Sequence, residues 1–183
     1  MTGEEATTAA VDALNELGVP FILVGSFSSN QYGIPRSTKD ADFVVQLGET
    51  SILEIAGKIS PGIRVDPQMS FETVTMTRKY DAQVVDSTFK IEFFLLGDDP
   101  HDAERFRRRQ RTEFLGRAIF VPTAEDVIVT KLRWARSKDK DDVRDVIAVQ
   151  GDERIDWAYV HGWTGQHGTT ALLDEIRRSI PPI

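Results

Sequence analysis

Two carboxylates in this 183-residue chain stand two positions apart at the start of an apolar run, in the segment Asp40-Ala41-Asp42-Phe43-Val44-Val45. On a β-strand this spacing places both side chains on the same face. Two carboxylates held together repel each other unless a cation lies between them. Mg2+ prefers carboxylate and phosphate oxygens as ligands. The pair therefore predicts a metal site for phosphoryl or nucleotidyl transfer.

Two further elements supply what such a transfer needs. Gly25 and Ser26 follow the apolar run 21–24, a predicted buried strand, and begin a predicted short helix. Glycine allows close approach of the backbone, and Ser26 with the free amides of the helix can bind phosphate oxygens. Glu92 lies in 88–96, the strongest predicted strand, where an acid has little structural reason to occur. We therefore predict Glu92 as the third acid of the metal site.

Each of these interpretations has an alternative. An Asp-x-Asp segment is also typical of a solvated turn or cap. Glu92 can instead be a strand-edge glutamate that forms an ion pair with Lys90 or an arginine. Asp86 competes as the third acid, although the neighbouring Ser87 and Thr88 favour a turn there.

The composition limits the class of protein. An apolar fraction of 40% with 28% charged residues is typical of a globular domain, and a net charge of −7 argues against a broad, non-specific nucleic-acid surface. The absence of cysteine excludes disulfides, zinc-thiolate sites and thiol chemistry. The acidic N-terminus lacks the layout of a signal peptide, and no apolar run is long enough to cross a bilayer. We therefore expect a cytoplasmic protein without a membrane partner.

The periodicity predicts alternating helices and strands with unequal connections. Helices are predicted over 4–17, 26–32, 51–59, 123–137, 139–149 and 170–178, and strands over 21–24, 40–47, 63–65, 71–80, 88–96 and 117–121. This order favours an α+β fold, a mixed sheet with flanking helices, over a regular doubly wound sheet. We expect a core over residues 1–122 and, in the same domain, a C-terminal helical part over residues 123–183.

These motifs resemble a known superfamily. Val24-Gly25-Ser26, followed by Gly33, Arg36, Thr38 and Asp40-Ala41-Asp42, looks like the nucleotidyltransferase superfamily with the polymerase-beta-like fold. Farther along, Thr123-Ala124-Glu125-Asp126, Lys131-Leu132 and Asp142-Val143-Arg144-Asp145-Val146 resemble its AbiEii branch, the toxins of bacterial toxin–antitoxin systems. The resemblance spans residues 21–149.

The resemblance implies roles for individual residues. Asp40 and Asp42 would bind two Mg2+ ions, and Glu92 would help to activate the attacking hydroxyl. The nucleotide would be bound by Gly25, Ser26, Arg36, Thr38, Lys131 and Asp142. Two positions depart from the family pattern, because the third acid is commonly Asp and because Ser26 replaces the second glycine of Gly-Gly motifs.

Purely structural roles are the alternatives for the C-terminal motifs and for one basic run. The stem of Lys131 can simply cover apolar surface, and Asp142 can be a solvated helix acid. The run Arg105–Arg111 is either an exposed helix that neutralises nearby acids or a docking patch for RNA phosphates or an acidic partner such as an antitoxin.

The predicted reaction is Mg2+-dependent transfer of a nucleoside monophosphate from an NTP to an acceptor hydroxyl, with release of pyrophosphate. By resemblance, the first hypothesis is a toxin that modifies RNA or protein and has an antitoxin partner. The alternatives are an aminoglycoside-type enzyme with a small-molecule acceptor and a catalytically silent nucleotide-binding module.

Overall fold

The computed structural model describes residues 1–181, so residues 182 and 183 of the predicted C-terminal part lie outside the described residues. The chain divides into two compact units. Unit 1 comprises residues 1–27 and 37–121, and unit 2 comprises residues 28–36 together with the chain from Pro122 onward. Each unit has its own cluster of buried apolar side chains.

Unit 1 is built on a mixed sheet. Its strands are β1 (Phe21–Val24), β2 (Asp40–Val45), β3 (Ile63–Val65), β4 (Ser70–Phe71), β5 (Arg78–Val84) and β6 (Lys90–Leu95). They follow the order β1-β2-β6-β5-β3, and β4 pairs with β5. The pair of β2 and β6 is parallel, whereas the other pairs are antiparallel. Two more strands, β7 (Gln110–Phe114) and β8 (Arg117–Val121), form a separate antiparallel ribbon.

The helices of unit 1 begin where local side chains satisfy their first backbone amides. They are α1 (Gly3–Glu16), α3 (Ile52–Lys58) and α4 (Pro100–Arg107), while α2 (Gly25–Tyr32) runs from unit 1 into unit 2. Thr2 and Ser51 form capping boxes with Glu5 and Glu54, and Asp99 caps α4. These caps set where the three helices begin.

In the first halves of β2 and β6, alternating side chains separate a dry face from a polar face, and farther along the buried Val44 and Phe94 follow on the second face. Ala41, Phe43, Ile91 and Phe93 are fully buried in the core of unit 1. The residues between them point to the opposite face, because successive side chains of a strand alternate. The same packing that forms the core therefore places Asp40, Asp42 and Glu92 together on the polar face.

Unit 2 is helical. It contains α5 (Ala124–Trp134), α6 (Ser137–Gln150), a short 3-10 helix (Asp152–Arg154), α7 (Trp157–His167) and α8 (Thr170–Ser179). Thr123 caps α5, whose end is a left-handed residue at Ala135. Among residues 1–181, no helix combines the length and the apolar character that crossing a membrane requires.

The α+β prediction is confirmed, and the local differences have physical causes. The predicted strand 71–80 is a hairpin, since the Glu72 carboxylate accepts hydrogen bonds from the Val74 and Thr75 amides, each at 2.7 Å, and closes a turn between β4 and β5. The basic run, for which one interpretation was an exposed helix, contains the end of α4, and it also contains the start of β7, which was not predicted. Helix α7 was also missed, because its two glycines obscure the helical pattern.

We expect Phe93→Ala to lower the free energy of unfolding by about 3–5 kcal/mol, because it removes a fully buried ring from the core. The ring of Phe93 stacks on that of Phe43, with the two centroids 5.7 Å apart. Urea denaturation followed by circular dichroism measures the change. The matched control is Phe71→Ala, whose ring is 54% exposed. Equal losses in the two variants would contradict this assignment of the core.

Candidate active site

A row of three carboxylates crosses the polar face of the sheet in unit 1. Asp42 on β2 lies opposite Glu92 on β6, and Glu92 lies opposite Asp81 on β5. Paired residues on neighbouring strands point to the same face. We call Asp42, Glu92 and Asp81 the acid row. The predicted members Asp42 and Glu92 are thus brought together, and Asp81 is a member that sequence reasoning missed.

Asp40 extends this face by one step along β2 and is oriented by Thr38. The Thr38 hydroxyl donates to Asp40 Oδ1 at 2.6 Å. Asp40 lies opposite Lys90 on β6. Thr38, predicted to bind nucleotide, therefore contacts one of the two predicted metal ligands and fixes the direction of its carboxylate.

Gly25, the first residue of α2, lies directly against the Asp42 carboxylate. A Cβ added at this position would lie 2.1 Å from Asp42 Oδ2, and the backbone has a φ of +62°. Both facts require glycine. Ser26 follows inside the first turn of the helix and is only 4% exposed. The Gly25-Ser26 motif and the Asp pair are therefore parts of one local structure.

Lys79 on β5 holds the far end of the acid row. Its ammonium group donates to Asp81 Oδ1 at 2.8 Å and forms an ion pair with Glu92. Burial alone would lower the pKa of Lys79, but the hydrogen bonds and charges of Asp81 and Glu92 outweigh burial and raise this pKa. Burial likewise opposes the change at Asp81, whose pKa is lowered by the hydrogen bond and charge of Lys79. Lys79 and Asp81 stay charged at neutral pH.

The alternative ion pair for Glu92 is also present. Lys90 Nζ lies 3.2 Å from Glu92 Oε1, so Glu92 contacts two ammonium groups. Asp86, the competing third acid, lies in the exposed turn after β5 with a φ of +56°. The pairing of the strands thus brings Glu92, but not Asp86, into register with Asp42.

The donor set of this face suits a hard divalent cation. On β2, β6 and β5, this face carries four carboxylates and two ammonium groups, those of Asp40, Asp42, Asp81, Glu92, Lys79 and Lys90, so the carboxylates exceed the ammonium groups by two. A divalent ion balances that excess, and carboxylate oxygens are the ligands that Mg2+ prefers. Asp40 and Asp42 would hold such an ion. The arrangement can therefore bind a metal together with the phosphate oxygens of a nucleotide.

A second cluster of predicted residues lies in unit 2. Lys131 on α5 is buried and forms ion pairs with Asp139 Oδ1 at 3.1 Å and with Asp142 Oδ2 at 2.7 Å, both on α6. Arg36 donates to Asp142 through Nε at 2.8 Å and through a second nitrogen at 2.9 Å. The structure thus joins Arg36, Lys131 and Asp142 in one ion cluster.

This cluster is more than a set of solvated helix acids. Asp139 is fully buried and Asp142 is 5% exposed. Burial raises the pKa of both carboxyls, but the hydrogen bonds and charges of Arg136 and Lys131 at Asp139, and of Arg36 and Lys131 at Asp142, outweigh it and lower both pKa values. Asp139, which sequence reasoning missed, precedes Asp142 by three residues on the same helix face.

The basic run Arg105–Arg111 is largely neutralised or packed. Arg105 is buried and lies 3.0 Å from Asp102, and Arg107 lies 2.6 Å from Glu104. The guanidinium of Arg109 packs over the ring of Phe106, 4.6 Å from its centroid. These contacts favour the local-neutralisation interpretation over a docking patch for nucleic acid.

Comparison with protein families gives one clear match. The family model described as "Nucleotidyl transferase AbiEii toxin, Type IV TA system" matches residues 9–147. This range contains the acid row of unit 1 and the ion cluster of unit 2. No curated protein matches the sequence.

Solved structures with a similar fold are distant in sequence. ANT(2")-Ia in complex with adenylyl-2"-tobramycin has a TM-score of 0.63 at 15% identity, covering 93% of this chain and 99% of that protein. An antigenic nucleotidyltransferase-like protein from Paracoccidioides brasiliensis has a TM-score of 0.53 at 16% identity, covering 98% and 94%. The lincosamide antibiotic adenylyltransferase LnuA, bound to lincomycin, has a TM-score of 0.51 at 13% identity, covering 81% and 98%.

We expect Gly25→Ala to abolish divalent-cation binding, because the added Cβ would displace the Asp42 carboxylate. Isothermal titration with Mn2+ measures the binding. The control is Gly48→Ala, where φ is +59° but nothing lies within 4 Å of an added Cβ. Both variants should lose about 1 kcal/mol of stability from backbone strain. Normal Mn2+ binding by Gly25→Ala would contradict the role of this contact.

We expect Asp139→Asn to lower the free energy of unfolding at pH 7 by about 3 kcal/mol, because it leaves Lys131 with less compensation in a buried site. Because the pKa of Asp139 is lowered by folding, its contribution is present above about pH 4 and is lost as the pH falls through the folded-state value. Denaturant unfolding at pH 7 and pH 3 measures both effects.

The difference between wild type and Asp139→Asn should therefore shrink in acid. The control variant is Asp141→Asn on the same helix, whose carboxylate is exposed and lies 3.1 Å from Arg144. A destabilisation of Asp139→Asn that is independent of pH would show that the charge of this carboxylate does not stabilise unit 2.

Proposed function

We propose a specific reaction for this chain, which belongs to the AbiEii nucleotidyl transferase toxin family and is a nucleotidyltransferase. The reaction is the Mg2+-dependent transfer of a nucleoside monophosphate from an NTP to an acceptor hydroxyl. The observation that carries this proposal is the polar face of unit 1, where Asp42 and Glu92 share a register position and Gly25 lies against Asp42. The proposed location is the cytoplasm, where NTPs are available.

In this reaction the acceptor oxygen forms a bond to the α-phosphorus of the NTP. The bond between that phosphorus and its bridging oxygen to the β-phosphate breaks, and pyrophosphate leaves. The acceptor proton passes to Glu92 or Asp42. Asp40 and Asp42 would hold the metal, with two Mg2+ ions proposed and Glu92 as the third acid. Bound Mg2+ would neutralise charge that develops on the phosphate oxygens.

The remaining predicted residues have proposed roles toward the nucleotide. Gly25 allows backbone approach, and Ser26 would contact phosphate oxygens. Thr38 acts through Asp40, whose carboxylate it orients at 2.6 Å. Arg36, Lys131 and Asp142 are proposed to serve the nucleotide as one cluster, since Arg36 and Lys131 both form ion pairs with Asp142. The side chain of Arg36 is 35% exposed, so it is the member of this cluster that solvent reaches best.

The proposed acceptor is an RNA or protein hydroxyl, in a toxin that is paired with an antitoxin. The description of the matching family, a toxin of type IV toxin–antitoxin systems, supports this proposal. A small-molecule acceptor is the second candidate, favoured by fold similarity to ANT(2")-Ia, solved with adenylyl-2"-tobramycin, and to LnuA, solved with lincomycin. A catalytically silent nucleotide-binding module is the third.

We expect the double variant Asp40→Asn plus Asp42→Asn to lose pyrophosphate release by about 1,000-fold or more, because the metal ligands are gone and electrostatic stabilisation of the phosphate is lost. Each α-labelled NTP is incubated with Mg2+ and with RNA, protein or an aminoglycoside. The control is Asp86→Asn, which removes an exposed turn carboxylate in the same unit.

The label identifies the acceptor class. Labelled RNA or protein supports the toxin-type reaction, whereas labelled aminoglycoside supports the small-molecule alternative. NTP binding without pyrophosphate release across all acceptors would indicate the silent module. Wild-type protein that neither binds NTP in the presence of Mg2+ nor releases pyrophosphate would contradict the whole proposal.

A further inference from the structure

Lys79 occupies an unusual place for a lysine. It lies on the same face of β5 as Asp81, two residues away, and contacts two neighbouring members of the acid row, Asp81 and Glu92. Its side chain is 15% exposed and that of Glu92 is 12% exposed. The Lys79 ammonium also lies 5.9 Å from the centre of the Phe94 ring. The ammonium group is therefore held in one position by two carboxylates and a ring.

The contacts of Lys79 divide the polar face into two parts. Glu92 and Asp81 share the Lys79 ammonium, whereas Asp40 receives a hydroxyl donor from Thr38 and Asp42 lies against Gly25. The Lys79 charge is therefore fixed beside Glu92 and Asp81, within the row of carboxylates that would attract a divalent cation.

We propose that Lys79 is a positioning residue that acts as a built-in cation of this site. It holds Glu92 in a fixed orientation together with Asp81, and its positive charge lowers the affinity of the polar face for a divalent cation. This inference rests on the proposed function for its consequence in catalysis, but its effect on metal affinity is a property of the protein without nucleotide.

The alternative is that Lys79 only cross-links β5 and β6. Both interpretations predict some loss of stability when the lysine is replaced. They differ in the affinity for metal, because β5 is two strand spacings, about 10 Å, from β2, and at that distance a removed positive charge still raises the local affinity for a divalent cation. Metal affinity therefore separates a positioning cation from a cross-link.

The test is a titration of nucleotide-free protein with Mn2+, followed by electron paramagnetic resonance. In Lys79→Met, which keeps the length of the side chain beside Phe94, we expect the affinity for Mn2+ to rise about fourfold. Lys79→Arg should stay within about twofold of wild type, since it keeps the charge. The matched control is Lys58→Met, which removes an exposed lysine paired with Glu16 in the same unit.

Turnover gives the second readout. We expect kcat of Lys79→Met to fall about tenfold, because Glu92 loses its fixed orientation, while KM for the NTP changes less than about twofold. Lys79→Arg should restore most of kcat. An Mn2+ affinity in Lys79→Met equal to that of wild type, in a protein that circular dichroism shows to be folded, would overturn the proposal.

A second neutral variant and the wild-type protein complete the test. If Lys79→Met does not fold, Lys79→Gln makes the same comparison with a neutral side chain that can still donate hydrogen bonds. Wild-type protein that binds no Mn2+ would refute the proposed metal-dependent function. Wild-type protein that binds Mn2+ and transfers a nucleotide, with no change of affinity in the lysine variants, would refute only the role of Lys79.

Discussion

The parallel pairing of β2 with β6 is the constraint on which both the core of unit 1 and its candidate site depend. One register places Phe43 opposite Phe93, with their rings stacked at 5.7 Å, and Asp42 opposite Glu92 on the other face. A slip of one residue along either strand would move its apolar side chains to solvent and its carboxylates into the core. The hydrophobic free energy of the dry face therefore holds the carboxylates together, although they repel each other.

Lysine side chains of the same sheet reduce this repulsion between the carboxylates. Lys79 and Lys90 both contact Glu92, and Lys79 also contacts Asp81, so part of the charge is balanced by side chains. The balance is incomplete, because the face still carries more carboxylates than ammonium groups. The ion pairs allow the carboxylates to lie together in the folded protein, and the remaining negative charge would attract the divalent cation of the proposed reaction. The excess of carboxylate charge therefore follows from the strand pairing and is also what the proposed metal-dependent reaction needs.

The sequence was sufficient to predict those parts of the site that depend on strand alternation. The shared face of Asp42 and Glu92 could be predicted because each lies between buried apolar neighbours, and Asp40 shares that face because it precedes Asp42 by two residues. Lys79 and Asp81 could not, since Glu72 closes a hairpin with its side chain and the usual glycine, proline or asparagine signal is absent from 72–77. Without that turn, the beginning of β5 and its register against β6 are not visible in the sequence.

The ion cluster of unit 2 shows a second limit of prediction from the sequence. The resemblance identified Lys131 and Asp142, but it did not indicate that Lys131 is buried between two aspartates or that Arg36 closes the cluster on Asp142. A lysine in this setting cannot be treated as a free cation, because a phosphate that approaches it must share the ammonium group with carboxylates already within hydrogen-bonding distance. Binding of nucleotide at this cluster would therefore require its ion pairs to rearrange, and a change at Asp139 would alter nucleotide affinity without touching the nucleotide.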